Sequence, residues 1–109
     1  MSATEYSTDK KTGLPIIDKT LGEQLDYPFN FTDLLAEIED TISTAPGSVT
    51  FTMTEGLTLV AQSQNDYYAV PLIAGGTLGK AGMVTCRVHS ATGNRIFERS
   101  ILINIVGVM

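Results

Sequence analysis

The residues able to do chemistry are few and scattered. The chain has one histidine and one cysteine. His89 falls on the outward set of a period-two run beside Arg87, and no nucleophile-elbow motif accompanies it. It reads as a solvated strand residue rather than as the base of a Ser-His-acid arrangement. Cys86 falls on the inward set with Val84 and Val88. A thiol in apolar company has a raised pKa and packs as a small hydrophobe. The run Ala74-Gly75-Gly76-Thr77-Leu78-Gly79-Lys80-Ala81 has the outward look of a phosphate loop. That motif requires a glycine five residues before the Gly-Lys pair and Ser or Thr after it. Ala74 and Ala81 hold those places, and no helical pattern follows to present a helix N-terminus, so the run reads as an interstrand loop. Asp33, Glu37, Glu39 and Asp40 form an acidic cluster without the spacing of a calcium loop, and read as a solvated face. Asn30-Phe31-Thr32 matches a glycosylation sequon, which carries meaning only behind a secretory signal. The expectation is a chain that is not an enzyme and holds no metal or cofactor. A binding or structural module is favoured.

Composition narrows the partners. The 109 residues carry 12 acidic and 7 basic side chains, a net charge of −5. Phosphate backbones need clustered Lys and Arg, so nucleic acid is disfavoured, as are anionic membrane surfaces. Hydrophobic content is 43% and charged content 17%, which describes a folded chain of one domain. A lone cysteine forms no intrachain disulfide. The N-terminus MSATEYSTDKK lacks the apolar core of a signal peptide. The longest apolar run, Ile101–Val108, is broken by Asn104 and Gly107 and is far too short to span a bilayer. The expectation is a protein soluble where it is made.

The elements follow from periodicity. Met1–Gly13 is polar and reads as an extended or flexible arm, with Leu14-Pro15-Ile16-Ile17 as an apolar island on it. This island either docks on a partner or covers an edge of its own domain. Leu25, Tyr27, Phe29 and Phe31 alternate with polar residues as a half-buried strand, with Pro28 placing it at an edge or near a bulge. Leu34, Leu35, Ile38 and Ile42 recur at helical spacing, with Thr32 or Asp33 as cap and one or two turns expected. Ala45-Pro46-Gly47, Glu55-Gly56, Gln64-Asn65-Asp66 and Ala91-Thr92-Gly93-Asn94 are turns. Between them lie strands around Val49–Met53, Leu57–Gln62, Tyr67–Ala74, Val84–His89 and Ile101–Val106. Arg95–Ser100 extends the last strand, with blurred phase near Glu98-Arg99 that predicts a bulge. Alternation assigns Tyr27, Phe29, Phe31, Val49, Phe51, Leu57, Leu59, Val84, Cys86, Val88, Ile101, Ile103 and Ile105 to the core, with Ala61 continuing the third strand's inward set. The fold class is all-β: an immunoglobulin-like β-sandwich of about seven antiparallel strands, with a small barrel as the competing architecture. Residues 1–22 form the N-terminal arm and 23–109 the sandwich.

From Leu25 onward the chain resembles the phage fibre–tail adaptor proteins, a family of small virion components. Asp26-Tyr27-Pro28-Phe29-Asn30-Phe31-Thr32-Asp33-Leu34-Leu35 carries the resemblance first. It continues through Asp40-Thr41-Ile42-Ser43-Thr44, Glu55-Gly56-Leu57-Thr58-Leu59 and Ala74-Gly75-Gly76-Thr77. It ends with Val84-Thr85-Cys86-Arg87-Val88, Ala91-Thr92-Gly93-Asn94-Arg95 and Glu98-Arg99-Ser100-Ile101. Order and spacing carry the resemblance rather than any single motif. It departs at Gly82, where an aromatic is expected nearby, at the acidic insertion Ala36-Glu37-Ile38-Glu39, and over the arm Met1–Thr20. The resemblance implies a virion structural protein with an immunoglobulin-like sandwich, assembled in the host cytoplasm in multiple copies and joined to other virion proteins. It implies an adaptor between fibres or spikes and the tail. Composition of the arm, an apolar island on a polar tract, makes Leu14, Pro15, Ile16 and Ile17 the candidate docking residues. A capsid decoration protein is the alternative. A carbohydrate-binding module is a third reading, against which stands the absence of tryptophan.

Overall fold

The computed structural model describes residues 7–8, 13–92 and 95–107. Most of the Met1–Gly13 arm and the Gly93-Asn94 half of the last turn lie outside these residues. The elements are β1 (Ser7–Thr8), β2 (Pro15–Thr20), β3 (Leu25–Asp26), β4 (Phe29–Asn30), α1 (Thr32–Glu37), β5 (Val49–Met53), β6 (Leu57–Gln64), β7 (Tyr68–Gly75), β8 (Ala81–His89) and β9 (Ile96–Val106). They form an all-β sandwich of two sheets. One sheet runs β1-β2-β9-β8-β5. The other has β7 at its centre, with β6 along one side and β3 and β4 in line along the other.

Alternation on β8 and β9 is kept without interruption. Their register runs from Ala81 opposite Asn104 to His89 opposite Ile96 with no shift. The bulge expected near Glu98-Arg99 is therefore absent; polar residues on an open strand edge had blurred the pattern. A bulge occurs instead in β6, where Val60 is extra between Leu59 opposite Ile73 and Ala61 opposite Leu72. It reverses the phase of the strand. Beyond it Gln62 and Gln64, not Ala61, lie opposite the buried Pro71 and Ala69. Their amides donate to Val49 O at 3.4 Å, tying the edge of one sheet to β5 of the other, and to Ser43 O at 2.9 Å in the loop before β5.

The run expected as one strand from Leu25 is two short strands. Tyr27 N–H donates to Pro71 O at 3.2 Å, and a residue that accepts on one side of an antiparallel ladder also donates there. Pro71 has no N–H to return, and Pro28 follows at once, so pairing breaks between β3 and β4. Tyr27, Phe29 and Phe31 are nonetheless all buried.

Neither Thr32 nor Asp33 caps α1. Phe31 holds the N-cap position without a side-chain bond, and Asn30 Oδ1 accepts the Thr32 N–H at 2.9 Å. The helix ends in a Schellman motif: Glu39 N–H donates to Ala36 O and Asp40 N–H to Leu35 O, with Glu39 at φ 53°.

The core lies between the sheets. Leu35, Ile42, Ala69 and Ile73 join eleven of the residues assigned to it by alternation. Phe51 and Leu59 are half-buried, because β5 and β6 are edge strands. Phe51 still packs on Phe29, with ring centroids 6.0 Å apart.

One pair departs from the antiparallel expectation. Pro15–Thr20, within the segment read as an arm, is strand β2 and pairs parallel with β9.

Candidate interaction surface

β2 covers only half of β9. Their register runs from Ile16 opposite Leu102 to Thr20 opposite Val106, while β9 begins at Ile96. Over Ile96–Ser100, β8 lies on one side and no strand lies on the other among the described residues. Main-chain polarity fixes which groups face the open side. Ile105 N–H and C=O both bond on the β8 side, to Lys80 O at 2.9 Å and from Gly79 N at 3.0 Å. Strand residues alternate sides, so Ile96, Glu98 and Ser100 aim their N–H and C=O groups outward. In the parallel register the next donor toward Ser100 O is the N–H of position 15. Proline has none, so the ladder stops there.

A cleft of about 720 Å³ opens beside this half-edge. Leu14 and Pro15 form one end, Pro28, Phe29 and Asn30 with Leu34 of α1 one wall, and Glu98–Ile101 of β9 with Thr85 of β8 the other. All three arginines of the chain, Arg87, Arg95 and Arg99, lie in this β8–β9 region. The Arg99 guanidinium sits 5.8 Å from the Phe31 ring centroid, a cation–π contact. Arg87 Nε and Glu98 Oε2 are 3.9 Å apart and both exposed, a pair that contributes little to stability. Thr85 and Ser100 share a hydroxyl hydrogen bond of 2.8 Å.

The structure disperses the four candidate docking residues. Leu14 and Pro15 reach the cleft. Ile16 lies on the outer face next to Leu102, which is itself 8% exposed and has the part-exposed Met83 on its other side. Ile17 faces inward beside Ile103 and packs against the core.

Sequence reasoning missed Lys19. It faces inward next to Ile105 and is 1% exposed. Its ammonium donates to Thr20 O at 2.9 Å, Leu21 O at 3.5 Å and, across the sandwich, Gly75 O at 2.7 Å. Burial lowers its pKa, partly offset by the Glu23 carboxylate, whose Oε1 accepts the Thr20 N–H at 2.8 Å. The only available signal is the period-two phase Ile17, Lys19.

The remaining motifs are engaged with the chain itself. The glycine-rich loop bonds its neighbours: Gly76 N–H donates to Gly56 O at 3.1 Å and Thr77 Oγ1 to Glu55 O at 2.8 Å. Cys86 is buried, and burial pushes its thiol up to about 12. His89 is half-buried, its amide bonded to Ser48 O at 2.9 Å. The acidic cluster divides. Asp33, Glu37 and Glu39 are exposed, whereas Asp40 is buried and accepts the N–H groups of Thr41 at 2.8 Å and Thr92 at 3.3 Å. These amides, Thr41 first, hold its carboxyl below the usual range despite desolvation. Among the described residues, no group of three or more His, Cys, Asp or Glu side chains is placed to hold a metal ion. No helix there is long and apolar enough to cross a membrane.

Fold and site thus define a β-sandwich module whose exposed features are a strand edge, an apolar cleft and a group of arginines. Residues 19–104 match the family model described as podophage GP4 fiber-tail adaptor protein gp77, and the chain belongs to this family of phage structural proteins. No curated protein and no solved structure matches it. The matched segment spans the sandwich from the end of β2 into β9 and leaves Leu14–Ile17 outside. A structural role in the virion follows from the membership.

Proposed function

We propose that the protein is a non-enzymatic adaptor that joins fibres or spikes to the tail of a tailed bacteriophage, present in several copies per particle. The observation that carries this reading is the family match across nearly the whole sandwich. The strand order supports an immunoglobulin-like topology. β9-β8-β5 on one sheet faces β6-β7 with β3 and β4 on the other, the arrangement of strands G-F-C against D-E-B. The partners are other virion proteins; a net charge of −5 suits neither nucleic acid nor an anionic membrane. Leu14 and Pro15, at the cleft, and Ile16, on the outer face, contribute to docking in this reading, while Ile17 serves the core. Residues 1–22 supply β2 to the sheet and an N-terminal extension before it.

The test is deletion of the coding sequence from the phage, with imaging of the particles produced. Complete heads and tails lacking fibres or spikes, restored by the wild-type protein in trans, are expected. Deletion particles carrying a full set of fibres would refute the adaptor role.

A further inference from the structure

We propose that the open half-edge of β9 accepts an extended segment of a neighbouring virion protein as an added strand in line with β2, and that this segment carries acidic side chains beside an apolar one. The proposal rests on the adaptor reading, and names where and how the adaptor grips.

Three observations meet at this place. Among the described residues, no strand pairs with the outward strand-type N–H and C=O groups of Ile96, Glu98 and Ser100, the main-chain template for strand addition. The template is bounded by the sequence: Pro15 ends the β2 ladder, so among the described residues β9 has no strand partner on this side before Leu102. Beneath it, Pro28, Phe29 and Leu34 offer an apolar floor that receives the inward side chain of an added strand. The half-edge has no proline or lysine, its charged residues are Glu98 and Arg99, and Ile96 at its start is 45% exposed.

Charge chooses the occupant. All three arginines of an otherwise acidic chain flank the half-edge, with Glu98 as the one acidic residue within it. A second copy, itself at −5, meets this surface with an unfavourable overall charge. A foreign acidic segment meets it with opposite charge, which speeds encounter and fixes register. Alternation along the added strand then sets one apolar residue into the cleft and acidic residues toward Arg99 within it or Arg87 on the outer face.

Isotope-labelled full-length protein is titrated with two hexapeptide probes, one alternating valine with glutamate and one alternating valine with lysine, and followed by amide resonances. The glutamate probe is expected to shift Ile96, Glu98 and Ser100, and to bind at least about tenfold more tightly than the lysine probe. Glu98→Pro removes an outward N–H while leaving the β8 ladder intact, and abolishes the shifts; Arg99→Glu leaves the backbone unaltered and reverses the preference between probes. Unmoved amides at these three residues, equal affinity for both probes, or shifts confined to the β6 edge overturn the proposal. Self-association by sedimentation that Arg99→Glu abolishes also overturns it, by seating a second copy there. A failed titration together with fibreless deletion particles removes strand addition and keeps the adaptor role. Fibre-bearing deletion particles remove the adaptor role, whatever the titration reads.

Discussion

Lys19 Nζ on β2 and Gly75 O on β7 lie 2.7 Å apart, so a buried ammonium links the two sheets at the point where the parallel strand ends. The same ammonium satisfies Thr20 O, and its stem lies beside Ile105. Lys19→Met keeps the apolar stem but leaves these carbonyls without a donor, at an expected loss of about 1–3 kcal/mol at neutral pH. Titration adds a second signature. Burial lowers the folded-state pKa below its ordinary 10.5, so between the two values the unfolded chain binds the proton more tightly. The penalty on the buried charge is complete below the lowered pKa and is relieved as pH rises toward 10.5. Wild type should therefore gain on Lys19→Met with rising pH over that window. Denaturant titrations of both proteins across the alkaline range check this, and a flat difference contradicts it.

Cys86 titrates in the opposite sense. Burial raises its thiol from 9.0 to about 12, so the folded state resists forming thiolate. Stability from this group is complete below 9.0 and is lost progressively as pH rises above it. The native thiol should stay unalkylated by iodoacetamide at mildly alkaline pH and react once guanidinium unfolds the chain. Modification in the native state at the unfolded rate would show the thiol to be accessible.

Lys19 also shows where reading by residue type fails. Alternation found β5, β8 and β9 because each repeats one side-chain class on one face over at least five residues. Pro15–Thr20 hides its phase, since the inward partner of Ile17 is a lysine and charged residues read as solvated. Leu102 reads as outward and is outward, yet Ile16 from the unrecognised β2 helps cover it. Val60 looks like an ordinary member of Leu57–Gln62; its bulge is set by what β7 places opposite, information absent from β6 itself. The cleft was half legible. Leu14 and Pro15 stood out as an apolar island, but the β9 half-edge exists only because β2 stops at Pro15, and that is a fact of pairing.

Gly76 is held by both space and backbone. Its φ is +117°, and an added Cβ would meet Ile105 Cδ1 and Cγ1 at 2.5 Å. Ile105 is 1% exposed and has nowhere to retreat. Gly76→Ala should cost about 1–3 kcal/mol from the backbone conformation, and overpacking should add about 1–3 kcal/mol more. Gly79, at φ +80° with nothing within 4 Å of its would-be Cβ, carries only the first cost. Thermal melts should rank wild type above Gly79→Ala and Gly79→Ala above Gly76→Ala. Equal melting of the two variants would remove the contact with Ile105 from the explanation.

Deletion of residues 1–20 tests what β2 does for the sandwich. The truncation removes Ile17 from the core and Lys19 from its link to Gly75, and exposes β9 along its whole length from Ile96 to Val106. Full burial of an aliphatic side chain is worth about 1.5–3 kcal/mol, of which the half-buried Ile17 contributes a part. At this chain length each kcal/mol shifts Tm by roughly 4–8 °C. The shortened protein should melt well below the full chain and associate through the bared edge. Leu14→Ser provides the contrast. Leu14 is half-buried at the cleft rim rather than in the core, so this variant should melt close to wild type and lose only recruitment into particles. Calorimetry and sedimentation measure the first outcome, and particle incorporation the second. A truncated protein that melts as the full chain does, and stays monomeric, would mean that β2 is dispensable to the fold and that the first twenty residues act on partners alone.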